Sequence, residues 1–102
     1  MKTNEKRIYL THHELLKTIS IVQAVKYAAA RRRNKAEIRL MNELLNKLLD
    51  FDIDCKGVLV ALDSMSRCTL WTYVEQYINF CVEVQQHAEY VLAVDIATKL
   101  SN

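Results

Sequence analysis

Between Thr11 and Arg33 the chain has no glycine and no proline, and from Leu15 to Ala30 few polar side chains, and this stretch limits the possible folds more than any other. Thr11 is followed three residues later by Glu14, the spacing of a capping box. In that motif the hydroxyl accepts an early backbone N–H and the carboxylate reaches back to the cap. At about 100° per residue, Lys17, Ser20, Gln23 and Lys26 fall on one narrow, drifting stripe. Leu15, Leu16, Ile19, Ile21, Val22, Ala24, Val25 and Ala28 to Ala30 take most of the remaining circumference. Such a helix needs neighbours on most sides, so it is expected at the centre of a bundle or at a subunit interface.

The turn-forming residues point the same way. The 102 residues include one glycine and no proline, and tight turns and sheet corners depend on those two. The expected fold is therefore all-α: an antiparallel helical bundle of about four helices in a single domain, residues 1–102. Residues 1–10 form a polar N-terminal arm whose Ile8-Tyr9-Leu10 packs beside the first helix. Asn34 ends that helix and, with Glu37, opens a second capping box. The second helix runs to about Leu49, with Ile38, Met41, Leu44, Leu45 and Leu48 recurring at three- and four-residue steps. The two make a helical hairpin.

Asp50 to Asp54 lacks helical rhythm and reads as a loop. A short third helix is expected from about Cys55 to Met65, capped by Asp54. The run Gly57-Val58-Leu59-Val60-Ala61-Leu62 also suits a buried strand, but helix is preferred because no convincing second strand exists to pair with it. From Thr69 to about Leu100 nothing breaks the helical pattern, so a long C-terminal helix follows, either continuous or kinked near Gln85-Gln86-His87. A protruding end of that helix would favour a homodimer. No internal repeat, linker or low-complexity segment is evident.

Several chemistries are excluded by spacing. Asp50, Asp52 and Asp54 have the alternate spacing of a calcium loop, but Cys55 stands where the turn glycine belongs and Ala61 where the bidentate glutamate belongs. Cys55, Cys68 and Cys81 lie 13 residues apart with no zinc knuckle among them, and read as small buried hydrophobes. His12-His13-Glu14 has no nucleophile placed to be activated, and its glutamate is explained by the capping box. Phosphate loops, nucleophile elbows and dinucleotide fingerprints are missing. The expectation is a protein that is not an enzyme and needs neither metal nor cofactor. An odd cysteine count, no signal-like leader and no membrane-length apolar run suggest the cytoplasm.

Two surfaces are candidates for binding. Residues 1–50 hold 11 Lys/Arg and 5 Asp/Glu (+6), while residues 51–102 hold 3 and 7 (−4). The cations concentrate in Arg31, Arg32, Arg33 and Lys35, with Arg39 a turn further, and this corner suits phosphates of a nucleic acid. No aromatic is read as interleaved with it for base stacking. The same cluster also complements the helix C-terminus. The second surface is the aromatic and aliphatic side of the last helix, with Tyr73, Tyr90, Val91 and Val94. The leading expectation is a small inhibitor, immunity or regulatory accessory protein acting by protein–protein interaction. Nucleic-acid binding by the Arg31–Arg39 corner is the alternative. Sequestration of a small anionic ligand by the same cluster comes third.

Overall fold

A computed structural model describes residues 5–54 and 56–101. The order of elements is β1 (Lys6–Leu10), α1 (His12–Arg31), α2 (Lys35–Leu49), β2 (Phe51–Asp54), β3 (Gly57–Leu62), α3 (Ser64–Glu83) and α4 (His87–Ser101). The four helices accompany a three-stranded antiparallel sheet of order β1-β3-β2. The fold is therefore α+β, which corrects the all-α bundle expected from composition.

Each strand corrects a particular reading. Ile8-Tyr9-Leu10 belongs to a strand, and the segment 57–62 is a strand as well. The partner that 57–62 seemed to lack is β1, some fifty residues earlier: Ile8 lies opposite Val60 and Leu10 opposite Val58. The presumed loop Asp50–Asp54 supplies the third strand, with Phe51 opposite Val60 and Ile53 opposite Val58. Of the aspartates that mimic a calcium loop, Asp52 and Asp54 lie within that strand. Asp52 lies 3.3 Å from Arg7 on the far face, both about two-thirds exposed. The third helix begins at Ser64, capped by Asp63 accepting from the Ser66 N–H, and runs twenty residues. The expected Cys55–Met65 helix does not form. Its Cys55, and the arm residues 1–4, lie outside the described residues.

One face of the sheet carries Ile8, Leu10, Val58, Val60 and Leu62 into the core, all 3% exposed or less. They meet Leu15, Ile21 and Val22 of α1, Met41, Leu44 and Leu48 of α2, Leu70 and Val74 of α3, and Ala93, Ile96 and Leu100 of α4. Val22, fully buried, marks the centre of α1. Gly57 permits a close backbone approach: a Cβ there would lie 2.2 Å from the Leu10 carbonyl oxygen.

The molecule is built from a repeat. The helix caps Thr11 and Asp63 are 52 residues apart. At that offset His12–Arg31 matches Ser64–Glu83, and Lys35–Leu49 matches His87–Ser101. The two left-handed residues, Arg33 and Gln85, each with φ 57°, match as well. Both end a helix with the same hydrogen bonds, Asn34 N–H to the Ala29 carbonyl and Gln86 N–H to the Cys81 carbonyl, each 2.9 Å. Ile8 and Val60, also 52 apart, are directly opposed in the ladder. An antiparallel pair has a local two-fold axis between opposed residues, so this axis relates the two βαα halves. The packing obeys it: α2 lies against β3 and α4 against β1, each second helix covering the other half's strand. Lys47 of α2 reaches the α3 cap, 3.3 Å from Asp63 and 2.9 Å from the Ser66 hydroxyl. Lys99 of α4 reaches Glu14 in the α1 cap at 2.5 Å. The sequence conceals this repeat. Across the 44 aligned pairs (6–49 with 58–101) only Leu10/Leu62, Val22/Val74, Ala36/Ala88, Glu37/Glu89, Leu40/Leu92, Lys47/Lys99 and Leu48/Leu100 are identical.

Candidate functional site

The repeat gives two helical-hairpin tips with the same backbone and opposite chemistry. At the first, α1 ends at Arg31, Arg32 caps it, Arg33 makes the left-handed turn, and Asn34 caps α2 by accepting from the Glu37 N–H. Arg31, Arg32, Arg33, Lys35 and Arg39 are all exposed. Arg32 is the one of these that is neutralised: its Nη2 lies 2.5 Å from Glu37 Oε1. The other oxygen of Glu37 accepts the Tyr73 hydroxyl at 2.8 Å. Among the described residues Arg31, Arg33, Lys35 and Arg39 form no ion pair.

Tyr73 thus belongs to a groove between the hairpins, apart from Tyr90 and Val91. Burial, and then the Glu37 carboxylate, push its phenol up to about 12. The groove holds about 510 Å³ and is lined by Val25, Ala28, Arg32, Glu37, Thr69, Thr72, Tyr73 and Gln76. A related arrangement surrounds Glu89, the counterpart of Glu37. It pairs with Lys17 and accepts the Tyr77 hydroxyl at 2.9 Å. The Lys17 ammonium holds the Glu89 carboxyl below its usual range, and Glu89 holds the ammonium above its own.

Sequence reading overlooked an aromatic at the first tip. Tyr27, one helical turn before Arg31, is 76% exposed. It lines two grooves. One, about 580 Å³, is lined by Ala24, Tyr27, Ala28, Arg31 and Arg32. The other, about 390 Å³, is lined by Gln23, Lys26, Tyr27, Ala30 and Leu45. The available signal was its four-residue spacing from Arg31, the distance that stacks two side chains on one helix face.

The second tip is apolar. Phe80, Val82 and Val84 at the end of α3 are 54%, 60% and 42% exposed, and Tyr90 and Val91 of α4 are 36% and 45% exposed. Val94, one turn on, is half-buried. A cleft of about 330 Å³ lies here, lined by Cys81, Val82, Gln85, Gln86, His87 and Tyr90. The His87 and Tyr90 rings stack with centroids 6.3 Å apart. The long last helix expected from the sequence is broken at this tip, and α3 and α4 fold back on each other.

The other sequence candidates are placed without a common site. His12 and His13 are exposed in the first turn of α1, and Glu14 is the buried capping carboxylate. Cys68 is exposed near the start of α3 and Cys81 buried near its end, about 20 Å apart along the helix. Among the described residues no three His, Cys, Asp or Glu side chains gather as for a metal, and no helix is long and apolar enough to cross a membrane.

Each tip is an internal control for the other. The positions matching Lys26, Tyr27, Arg31, Arg33, Lys35 and Arg39 are Ile78, Asn79, Glu83, Gln85, His87 and Val91. Those matching Phe80, Val82 and Val84 are Ala28, Ala30 and Arg32. The chain matches no family model, and no curated protein or solved structure is significantly similar to it.

Proposed function

We propose that this protein is a small non-enzymatic binding module that docks a protein partner against the α3–α4 tip. The carrying observation is the exposure of Phe80, Val82, Val84, Tyr90 and Val91 at one end of one hairpin. Large apolar side chains gathered on a surface mark interaction sites, and tyrosine is enriched among the residues that dominate binding energy. The helix turn does not require them, since its twin folds identically with Ala28, Ala30 and Arg32 at the matching places. The cleft beside Tyr90 would accept an anchoring side chain of the partner. An inhibitor or regulatory accessory role in the cytoplasm, with Cys68 and Cys81 as thiols, fits this reading.

The test uses the repeat. A photoreactive phenylalanine analogue is placed at Val82, or at the matching and also exposed Ala30, and irradiated in the cells that make the protein. Discrete protein adducts from position 82 and no protein adduct from position 30 are expected. An adduct of twice the chain mass would make the partner a second copy. Adducts from neither position, or the same set from both, would overturn the proposal.

A further inference from the structure

We infer that the α1–α2 tip is a binding site for single-stranded nucleic acid, with Tyr27 stacking on a base and Arg31, Arg33 and Lys35 holding the flanking phosphates. This inference is independent of the protein-docking reading, because it rests on the other hairpin.

Cations at a helix C-terminus offset the partial charge of its last carbonyls, and that alone would explain a basic end. Yet α3 has the same length and the same left-handed ending, and carries no cation in its last turn, where Glu83 matches Arg31. The fold therefore makes no demand for three consecutive arginines. Nor does the turn itself call for Arg33. A φ of 57° suits glycine, and a side chain there costs about 1 kcal/mol.

Glu37 neutralises Arg32 and is fully engaged by it and by Tyr73. Arg31, Arg33 and Lys35 have no carboxylate in reach among the described residues. They present net positive charge without a protein counter-ion, which is the chemistry a phosphate chain recognises.

Tyr27 is 76% exposed, an unusual position for a large ring, and among the described residues no ring contact holds it. It lines two grooves, one with Ala24 and Ala28 and the other with Ala30, where a base has room to approach it. A base stacked on such a ring contributes in a sequence-tolerant way, because every base has a π-face. Only an unpaired base can reach it, so the geometry selects a single strand over a duplex.

The experiment measures fluorescence anisotropy of a labelled oligo(dT) of about 20 nucleotides, and of a duplex of equal length, with the full chain. Binding to the single strand is expected to be the tighter. Three phosphate contacts should weaken it about 40-fold between ~25 and ~150 mM salt. Tyr27→Ala should lower affinity about 5- to 30-fold and Tyr27→Phe by less than about 2-fold, since the ring remains. An Arg31→Gln, Arg33→Gln variant should flatten the salt dependence. All three side chains are exposed, and circular dichroism confirms that each variant is folded. Equal or tighter binding of the duplex would overturn the inference, as would failure to bind at low salt or an unchanged affinity in Tyr27→Ala. Polyglutamate displacing the oligonucleotide regardless of Tyr27 would also overturn it, and would assign the tip to an acidic protein segment.

Discussion

The ammonium of Lys99 lies 2.5 Å from Glu14 Oε1, the same oxygen that accepts the Thr11 backbone N–H at 2.9 Å. The end of the chain is thereby tied to the cap of the first helix. The carboxylate is nearly buried, its side chain 5% exposed, while the lysine is 33% exposed. Lys99→Met would leave Glu14 short of a counter-charge in the interior, and should lower stability by about 1–2 kcal/mol after allowance for solvent around the ammonium. Lys47→Met, at the matching clasp, faces an Asp63 that is 31% exposed and should cost less than about 1 kcal/mol. Urea unfolding of both variants decides it. Equal losses would mean that burial of Glu14 does not set the strength of the clasp.

Gln85, with φ 57°, ends α3 in a conformation that suits glycine. Gln85→Gly should raise stability by about 0.5–1 kcal/mol, or a few degrees in Tm for a domain of this size. A lowered Tm would show that the Gln85 side chain contributes more than the backbone strain removes.

Gly57 is constrained in the opposite sense. Its backbone is not left-handed, but a Cβ would meet the Leu10 carbonyl oxygen at 2.2 Å. Both groups sit in paired strands and cannot yield cheaply. Gly57→Ala should cost about 3 kcal/mol, at the upper end for overpacking. A loss under about 1 kcal/mol would mean that β1 and β3 shift apart without penalty.

Two groups should shape the pH dependence. Hydrogen bonds from the Ser66 hydroxyl and then its backbone N–H, with the Lys47 ammonium adding, hold the Asp63 carboxyl at about 2. Its folded value is below its unfolded one. Its contribution is therefore complete above about pH 4 and is lost as pH falls towards 2. Tyr73 shifts the other way, to about 12. The folded state holds its proton more tightly, so stability is lost as pH rises from about 10 towards 12. Asp63→Asn should flatten the acid limb of a stability profile, and Tyr73→Phe the alkaline limb. A limb unchanged by its own substitution would remove that group from the account.

What could be read in advance was local. The Thr11–Glu14 box and the Asn34 cap act over three residues, and both are present with donor–acceptor distances of 2.9–3.1 Å. The break near Gln85 was one of the two readings of the C-terminal stretch. The sheet was hidden because a strand is stabilised by its partner. Nothing near 57–62 announces that β1 will lie beside it, and the helical reading won by default. The repeat was hidden because burial conserves character more than identity: Met41 matches Ala93 and Leu44 matches Ile96. The basic tip was visible as a charge run. Tyr27 was missed because it stands outside the charge run, and its exposure is a property of the packed molecule that spacing does not give.

The crossed placement of α2 on β3 and α4 on β1 carries a thermodynamic consequence. Neither half has an interior that closes without the other, so the chain should unfold as one cooperative unit. Anything bound at either tip then protects both. A ligand at a hundredfold excess over its Kd adds about 2.7 kcal/mol to the whole molecule. Proteolysis at the α1–α2 turn would therefore slow when the α3–α4 tip is occupied, although no contact joins the two ligands. Occupancy at one end would be legible as resistance to cleavage at the other.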